Sequence, residues 1–211
     1  MNVKTAVLDY EVGNLASVLQ GLAVAGLEPV LTRDRREILS ARAIVLPGVG
    51  AFPRGMENLR KHGLLSVVSE AACQGVPLLG ICLGMQLLFE EGEEHGLHRG
   101  LGLLPGRVVR FPAGLKVPHM GWNTLNIIRP HPLLKEITQG SYVYFVHSYR
   151  ADGCRESHVT ATTCYGLEIP AVVCSGNIMG IQFHPEKSSR VGLKILRNFG
   201  ELVRNGSYPG H

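Results

Sequence analysis

The pentapeptide Gly80-Ile81-Cys82-Leu83-Gly84 sets one cysteine between two glycines. It closes the apolar run Val76 to Ile81, which reads as a buried strand with no polar alternation. A strand ending in a sharp turn with small flanking residues pushes a nucleophile out from the sheet edge, exposed and already aimed. Free backbone N–H groups at the start of the following amphipathic stretch, Met85 to Glu91, favour the thiolate form. A catalytic thiol also needs a base to take its proton and later return one to the leaving group, worth roughly 10²–10⁴-fold in rate. Among nine histidines, His184 is the best placed. In Gln182-Phe183-His184-Pro185-Glu186 it follows an apolar strand, and Pro185 holds it extended. Glu186, two residues on, then faces the same way and can orient the ring. Alone, a His-x-Glu pair reads equally well as a surface ion pair; downstream of an elbow cysteine it reads as a base with its orienter.

Pro47-Gly48-Val49-Gly50 follows another apolar strand. Strand C-termini in parallel sheets converge on one crevice. The backbone N–H groups of Val49 and Leu83 can therefore jointly hold a developing oxyanion, each such donor worth about 10²–10³-fold. A plain tight turn would need the same glycines. Cys73, Cys154, Cys164 and Cys174 lack a glycine-flanked setting and read as small core hydrophobes. His95-x-x-His98 lacks the further ligands that a metal pair requires, and there is neither a Walker loop nor a Gly-x-Gly-x-x-Gly fingerprint. Neither metal nor cofactor is expected.

The elements that must position these groups alternate along the first ninety residues, as βαβ units around a parallel sheet do. Ala6 to Leu8 begin a first strand. Asn14 is predicted to cap a helix with an apolar face of Leu15, Val18, Leu19, Leu22 and Val24 that ends at Gly26. Ala43 to Leu46 form a strand stopped by Pro47-Gly48, and a helix from about Leu64 to Cys73 is terminated by Gly75. Beyond residue 100 the texture is β-rich: Arg107 to Phe111, Tyr142 to His147, His158 to Cys164, and a hairpin of Ala171 to Cys174 with Ile178 to Phe183. A helix from about Ser189 to Val203 closes the chain. The expected fold is α/β, a three-layer, doubly wound, mainly parallel sheet with a β-rich C-terminal half, forming one domain over residues 1–211.

Composition agrees. The 211 residues are 45% hydrophobic and 18% charged, as in ordinary globular proteins. The formal charge of +4 is scattered, without the basic stripe of a nucleic-acid binder; its densest cluster, Arg33, Arg35 and Arg36, reads as a solvated helix start. No apolar run approaches the ~20 residues of a membrane span. Asp9 and Glu11 interrupt the N-terminal apolar stretch too early for a secretory segment, so the protein is expected to start at Met1. Five cysteines without regular spacing argue against a disulfide framework and for a cytoplasmic location.

Together, Pro47-Gly48-Val49-Gly50, Gly80-Ile81-Cys82-Leu83-Gly84-Met85-Gln86 and His184-Pro185-Glu186 resemble the class I glutamine amidotransferases. Pro118-His119-Met120-Gly121-Trp122-Asn123 and Tyr144-Phe145-Val146-His147-Ser148-Tyr149 narrow the resemblance to the glutaminase subunits of imidazole glycerol phosphate synthases. It spans nearly the whole chain. The resemblance implies that Cys82 forms a γ-glutamyl thioester, that His184 is the acid and base, and that Glu186 orients it. It implies that Gly50, Gln86, His147, Ser148 and Tyr149 hold L-glutamine. It also implies that Asn14, His119, Met120, Trp122, Asn123, Tyr144 and Lys187 face a (β/α)₈ cyclase subunit in a heterodimer. The ammonia passed there yields imidazole glycerol phosphate and an aminoimidazole carboxamide ribotide in histidine biosynthesis. Glu11 departs from the small residue of the family pattern near the first-strand turn. The rivals are a glutaminase subunit of pyridoxal phosphate or anthranilate synthesis, a free-standing cysteine hydrolase, and an interaction protein using Cys82 as a redox sensor.

Overall fold

The computed structural model describes residues 3–206; the expected start at Met1 lies outside them. Fourteen strands and six α-helices follow in chain order. The first half runs β1 (Lys4–Leu8), α1 (Leu15–Val24), β2 (Glu28–Thr32), α2 (Arg35–Ser40), β3 (Ala43–Leu46), α3 (Phe52–Lys61), α4 (Leu64–Cys73), β4 (Leu78–Ile81) and α5 (Leu83–Leu87). The second half runs β5 (Phe89–Gly92), β6 (His98–Arg99), β7 (Leu104–Arg110), β8 (His119–Thr124), β9 (Asn126–Ile127), β10 (Tyr142–His147), β11 (Tyr149–Asp152), β12 (Val159–Cys164), β13 (Glu168–Ser175), β14 (Ile178–Ile181) and α6 (Ser189–Asn205).

An eight-stranded sheet in the order β2-β1-β3-β4-β14-β13-β12-β9 forms the middle layer. From β2 to β14 the pairs are parallel, and from β14 to β9 they are antiparallel. The central strands β3, β4 and β14 are continuous apolar runs because both faces are covered. Period-two alternation then splits the side chains of the parallel half between two cores. Val7, Val45, Leu79 and Ile81 point to the side where α1 and α6 contribute Leu22, Ile195 and Phe199. Ala6, Leu8, Ile44 and Leu46 point to the other, packed by Ile38, Leu59, Val68 and Leu83 from α2, α3, α4 and α5. A four-stranded sheet, β11-β7-β5-β6, and a β8–β10 pair complete the β-rich half. The α/β reading and the β13–β14 hairpin therefore hold. No helix of the described residues is long and apolar enough to cross a membrane.

Several local expectations are corrected. The stretch Met85 to Glu91 is not one helix: α5 ends at Leu87 and Phe89–Gly92 is a strand parallel to β7. Tertiary packing overrides the helical pattern, since Phe89 is buried and Gly92 lies so close to the Phe52 ring that a Cβ would sit 2.8 Å from it. Asn14 has a left-handed backbone (φ 66°) and its side chain makes no cap to α1, and Val24 is exposed. Cys73 and Cys164 are exposed rather than in the core; both terminate their elements, where burial is not enforced. The arginine cluster does border a solvated helix start. Asp34 accepts the Glu37 N–H at 3.0 Å, Arg33 pairs with Asp9, and Arg35 pairs with Glu70.

Candidate active site

β4 and β14 lie side by side, Ile81 opposite Ile181, so their C-terminal ends bring Cys82 beside the segment that carries His184. The elbow is tight. Cys82 is held at φ 54°, ψ −108°, a conformation that costs of order 1–3 kcal/mol in a non-glycine residue. Its N–H is fixed on the Ile181 carbonyl at 2.8 Å. A methyl group at Gly84 would drive into the Leu46 carbonyl oxygen, and one at Gly80 would stand 2.7 Å from the Gly84 oxygen; only glycine permits this strand-to-helix packing. The Cys82 sulfur sits 3.9 Å from the Val146 carbonyl oxygen and 3.9 Å from the amide nitrogen of Gln182.

His184 is buried, its N–H bound to the Tyr144 carbonyl at 2.9 Å. Its Nδ1 lies 2.8 Å from Glu186 Oε1. The pairing is as expected but its backbone is not. Pro185–Lys187 form a 3₁₀ turn rather than an extended segment, and Ser188 Oγ ties the turn by donating to the His184 carbonyl at 2.6 Å. Asn14 Nδ2 donates to the same Glu186 oxygen at 2.7 Å. His184 Nε2 is buried and has no formed hydrogen bond. Burial lowers the His184 pKa, but the Cys82 side chain and then the Glu186 carboxylate outweigh it and push it up to about 9. The imidazole is thus prepared to carry a proton beside the sulfur.

Leu83 N–H donates to the Gly48 carbonyl at 3.3 Å, so one of the two expected oxyanion donors is occupied by the Pro47–Gly50 loop. The buried Tyr10 hydroxyl donates to the Pro47 carbonyl and anchors the loop's start, while Gly50, at φ 114°, gives its end freedom to reorient. A cavity of about 310 Å³ opens beside Cys82. All five residues expected to hold a substrate, Gly50, Gln86, His147, Ser148 and Tyr149, line it together with Val49 and Leu83.

A family model for "Glutamine amidotransferase class-I" matches residues 6–202. The chain belongs to the class I glutamine amidotransferases. It is 53% identical over 206 residues to "Imidazole glycerol phosphate synthase subunit HisH" of Moorella thermoacetica, covering 98% of each chain. With the protein of the same description from Desulfitobacterium hafniense it shares 50% over 197 residues, 93% of each. Among solved structures, the glutaminase domain of Trypanosoma brucei CTPS superposes with a TM-score of 0.71 at 16% identity, covering 98% of this chain and 96% of that one; that likeness concerns the fold.

Two polar side chains of this amidotransferase, one lining the cavity and one buried beside Cys82, carried no expected role. Glu94 is the one charged side chain in the lining, and its Oε2 accepts the Phe52 N–H at the start of α3 at 2.7 Å. In the sequence it ends the acidic run Glu90, Glu91, Glu93, Glu94, which reads as a solvated surface, so no local signal marks it. Gln182 is fully buried and accepts from Gln86 Nε2 at 3.0 Å; its place two residues before His184 on a strand was an available signal.

The residues expected to face a partner divide. Met120 and Trp122 are exposed, Tyr144 stands at 5.9 Å from the Trp122 ring, and Lys187 is exposed. Asn14 instead turns inward to Glu186, and His119 is buried against Phe145 and Tyr165. Asn123 is half-buried and bonded to His119 and to the Cys164 carbonyl. Glu11 takes a left-handed backbone (φ 61°), which explains why a small residue suits this turn, and its carboxylate reaches Lys61 at 2.9 Å. Burial pushes the Cys154 thiol up to about 11 and the Cys174 thiol up to about 12, which leaves both as poor nucleophiles at neutral pH. Among the described residues no group of three or more His, Cys, Asp or Glu is placed to hold a metal.

Proposed function

We propose that this chain is the glutaminase subunit of an imidazole glycerol phosphate synthase, working as one amidotransferase domain docked on a (β/α)₈ cyclase in a cytoplasmic heterodimer. The observation that carries the chemistry is the elbow cysteine opening on a cavity with the His184–Glu186 pair behind it. The close similarity to the two bacterial subunits supports the choice of synthase.

The Cys82 sulfur attacks the side-chain amide carbon of glutamine. His184 takes the thiol proton, and the carbonyl oxygen becomes an oxyanion. Collapse expels ammonia, to which His184 returns the proton, and leaves a γ-glutamyl thioester. Water, deprotonated by His184, attacks the thioester; glutamate departs and the thiol is restored. Glu186 keeps the imidazole's Nδ1 proton pointed away from the sulfur, with Nε2 toward it. Glu94 is suited to the α-ammonium of glutamine, a single cation for the cavity's single carboxylate.

The oxyanion donors are Val49 and Leu83. Because Leu83 N–H rests on the Gly48 carbonyl, the loop has to withdraw that carbonyl before the pair can act, which makes it the switch that partner binding operates. Met120, Trp122 and Tyr144 form the docking face, aromatic and methionine side chains of the kind that dominate interfaces, and Asn14, His119, Asn123 and Lys187 complete it from behind or beside.

The test mixes the chain with its cyclase and follows glutamate release with and without the cyclase's nucleotide. Activity should depend on the cyclase, rise with nucleotide and vanish in Cys82→Ala. Ammonia release unaffected by that substitution would remove Cys82 from the mechanism.

A further inference from the structure

His119 lies in β8 behind the docking face, yet its polar contacts run the other way, toward the cavity. Its Nδ1 is 3.0 Å from His147 Nε2, and His147 Nδ1 is 2.8 Å from the Tyr149 carbonyl oxygen. On the far side, Asn123 Nδ2 lies 3.2 Å from His119 Nε2. The direction of every bond in this chain is fixed by its two ends. The Tyr149 carbonyl can only accept, so His147 carries its proton on Nδ1 and presents a lone pair at Nε2. His119 must then donate from Nδ1, which leaves its Nε2 to accept from the Asn123 amide. A proton added to His147 Nε2 would face a second N–H at 3.0 Å, so the joint tolerates only neutral rings. Burial acts in the same sense, lowering His119 to about 4 and His147 to about 3.

The Tyr149 carbonyl is also the point where the relay meets the cavity, since Gln86 Nε2 donates to it at 2.9 Å while also donating to Gln182. We infer that His119 is a positioning residue: by donating to the His147 Nε2 lone pair it keeps that ring neutral and fixed against the Tyr149 carbonyl, and so holds the 147–149 wall and Gln86 in the geometry that receives glutamine. This rests on the glutaminase reading above.

The test separates the proton from the packing. His119→Phe keeps a ring stacked on Phe145 and Tyr165 but removes the donor; His119→Asn has no ring but restores an N–H close to the Nδ1 position. With the cyclase bound, His119→Phe should raise KM for glutamine roughly ten-fold, the usual scale for one lost buried hydrogen bond, with kcat within two-fold. Ring ¹⁵N shifts of the full chain should show a hydrogen-bonded acceptor at His147 Nε2 in the wild type and a free lone pair there, with Nδ1–H retained, in His119→Phe. His119→Asn should restore both readouts. The inference is overturned if His119→Phe leaves the His147 Nε2 shift or KM at the wild-type value, or if His119→Asn is as impaired as His119→Phe. Should His119→Phe not fold, Asn123→Ala reads the same signals, with a KM rise of about three-fold expected and no change in either signal overturning the relay. If the wild-type complex releases no glutamate, the glutaminase reading fails by itself, while the His147 nitrogen shifts still uphold or refute the tautomer relay.

Discussion

Two hydrogen-bonded histidines belong to the Cys82 site, His184 in its proton-handling pair and His147 in the cavity wall, and they are built in opposite ways. His184 faces a carboxylate, Glu186 Oε1 at 2.8 Å, and its pKa is pushed up to about 9. His147 faces a backbone carbonyl and another imidazole, and burial leaves it at about 3. Both rings are buried, so burial alone does not decide their charge. The polar partners do: the Cys82 side chain and then the Glu186 carboxylate favour the His184 imidazolium, whereas an acceptor at one end and a donor at the other lock His147 in a neutral tautomer. In the proposed mechanism the first ring is the one that moves protons and the second the one that holds a shape.

The sharpest way to break this division is to compare His184→Ala with His147→Ala in the cyclase complex. The first should lower kcat by roughly 10²–10⁴-fold with little change in KM, and the second should raise KM about ten-fold with a much smaller change in kcat. Similar losses of kcat in both would erase the distinction. Next in size, Glu186→Gln removes the anion and keeps the shape. The His184 midpoint, followed by ring proton shifts, should fall below about 9 while the Cys82 contribution remains, with kcat down roughly ten-fold or more. A midpoint unmoved in that variant would assign the raised value to Cys82 alone.

The pH dependence of stability should carry the same contrast. The His184 pKa is above the ordinary 6.5, so its contribution is complete below about pH 6.5 and is lost as pH rises through about 9. His119 and His147 lie below 6.5, so theirs is complete above about pH 6.5 and is lost as pH falls toward 4 and 3. Thermal melts should show a Tm decline of several degrees on each side, with the alkaline decline shallower in Glu186→Gln and the acid decline shallower in His119→Phe. The smallest effect is expected from Asn14→Ala, which removes one donor from Glu186. A two- to five-fold loss in kcat/KM is expected, and none at all would mean that the carboxylate is held by its turn alone.

The parts legible in the sequence were those whose constraints are local. Gly80 and Gly84 announce the elbow because no other residue allows the helix to cross Leu46 so closely. The β13–β14 hairpin follows from two apolar runs around Gly176-Asn177. What escaped was decided by contacts distant in sequence. Glu94 acquires its place only when β5 pairs with β7 and brings the acidic run against α3. Asn14 looks like a helix cap because its type and position are right, but Glu186, 172 residues away, claims its amide. His119 shares a motif with Met120 and Trp122, and strand alternation sends it to the opposite face.

The adjacency of β4 and β14 separates sulfur from imidazole by about a hundred residues of chain and joins them by one strand pairing. While the polypeptide emerges from the ribosome, the thiol is made long before the proposed base. If those roles hold, the newborn enzyme stays chemically silent until its last strand docks, and a product truncated before that strand lacks the base and releases no ammonia.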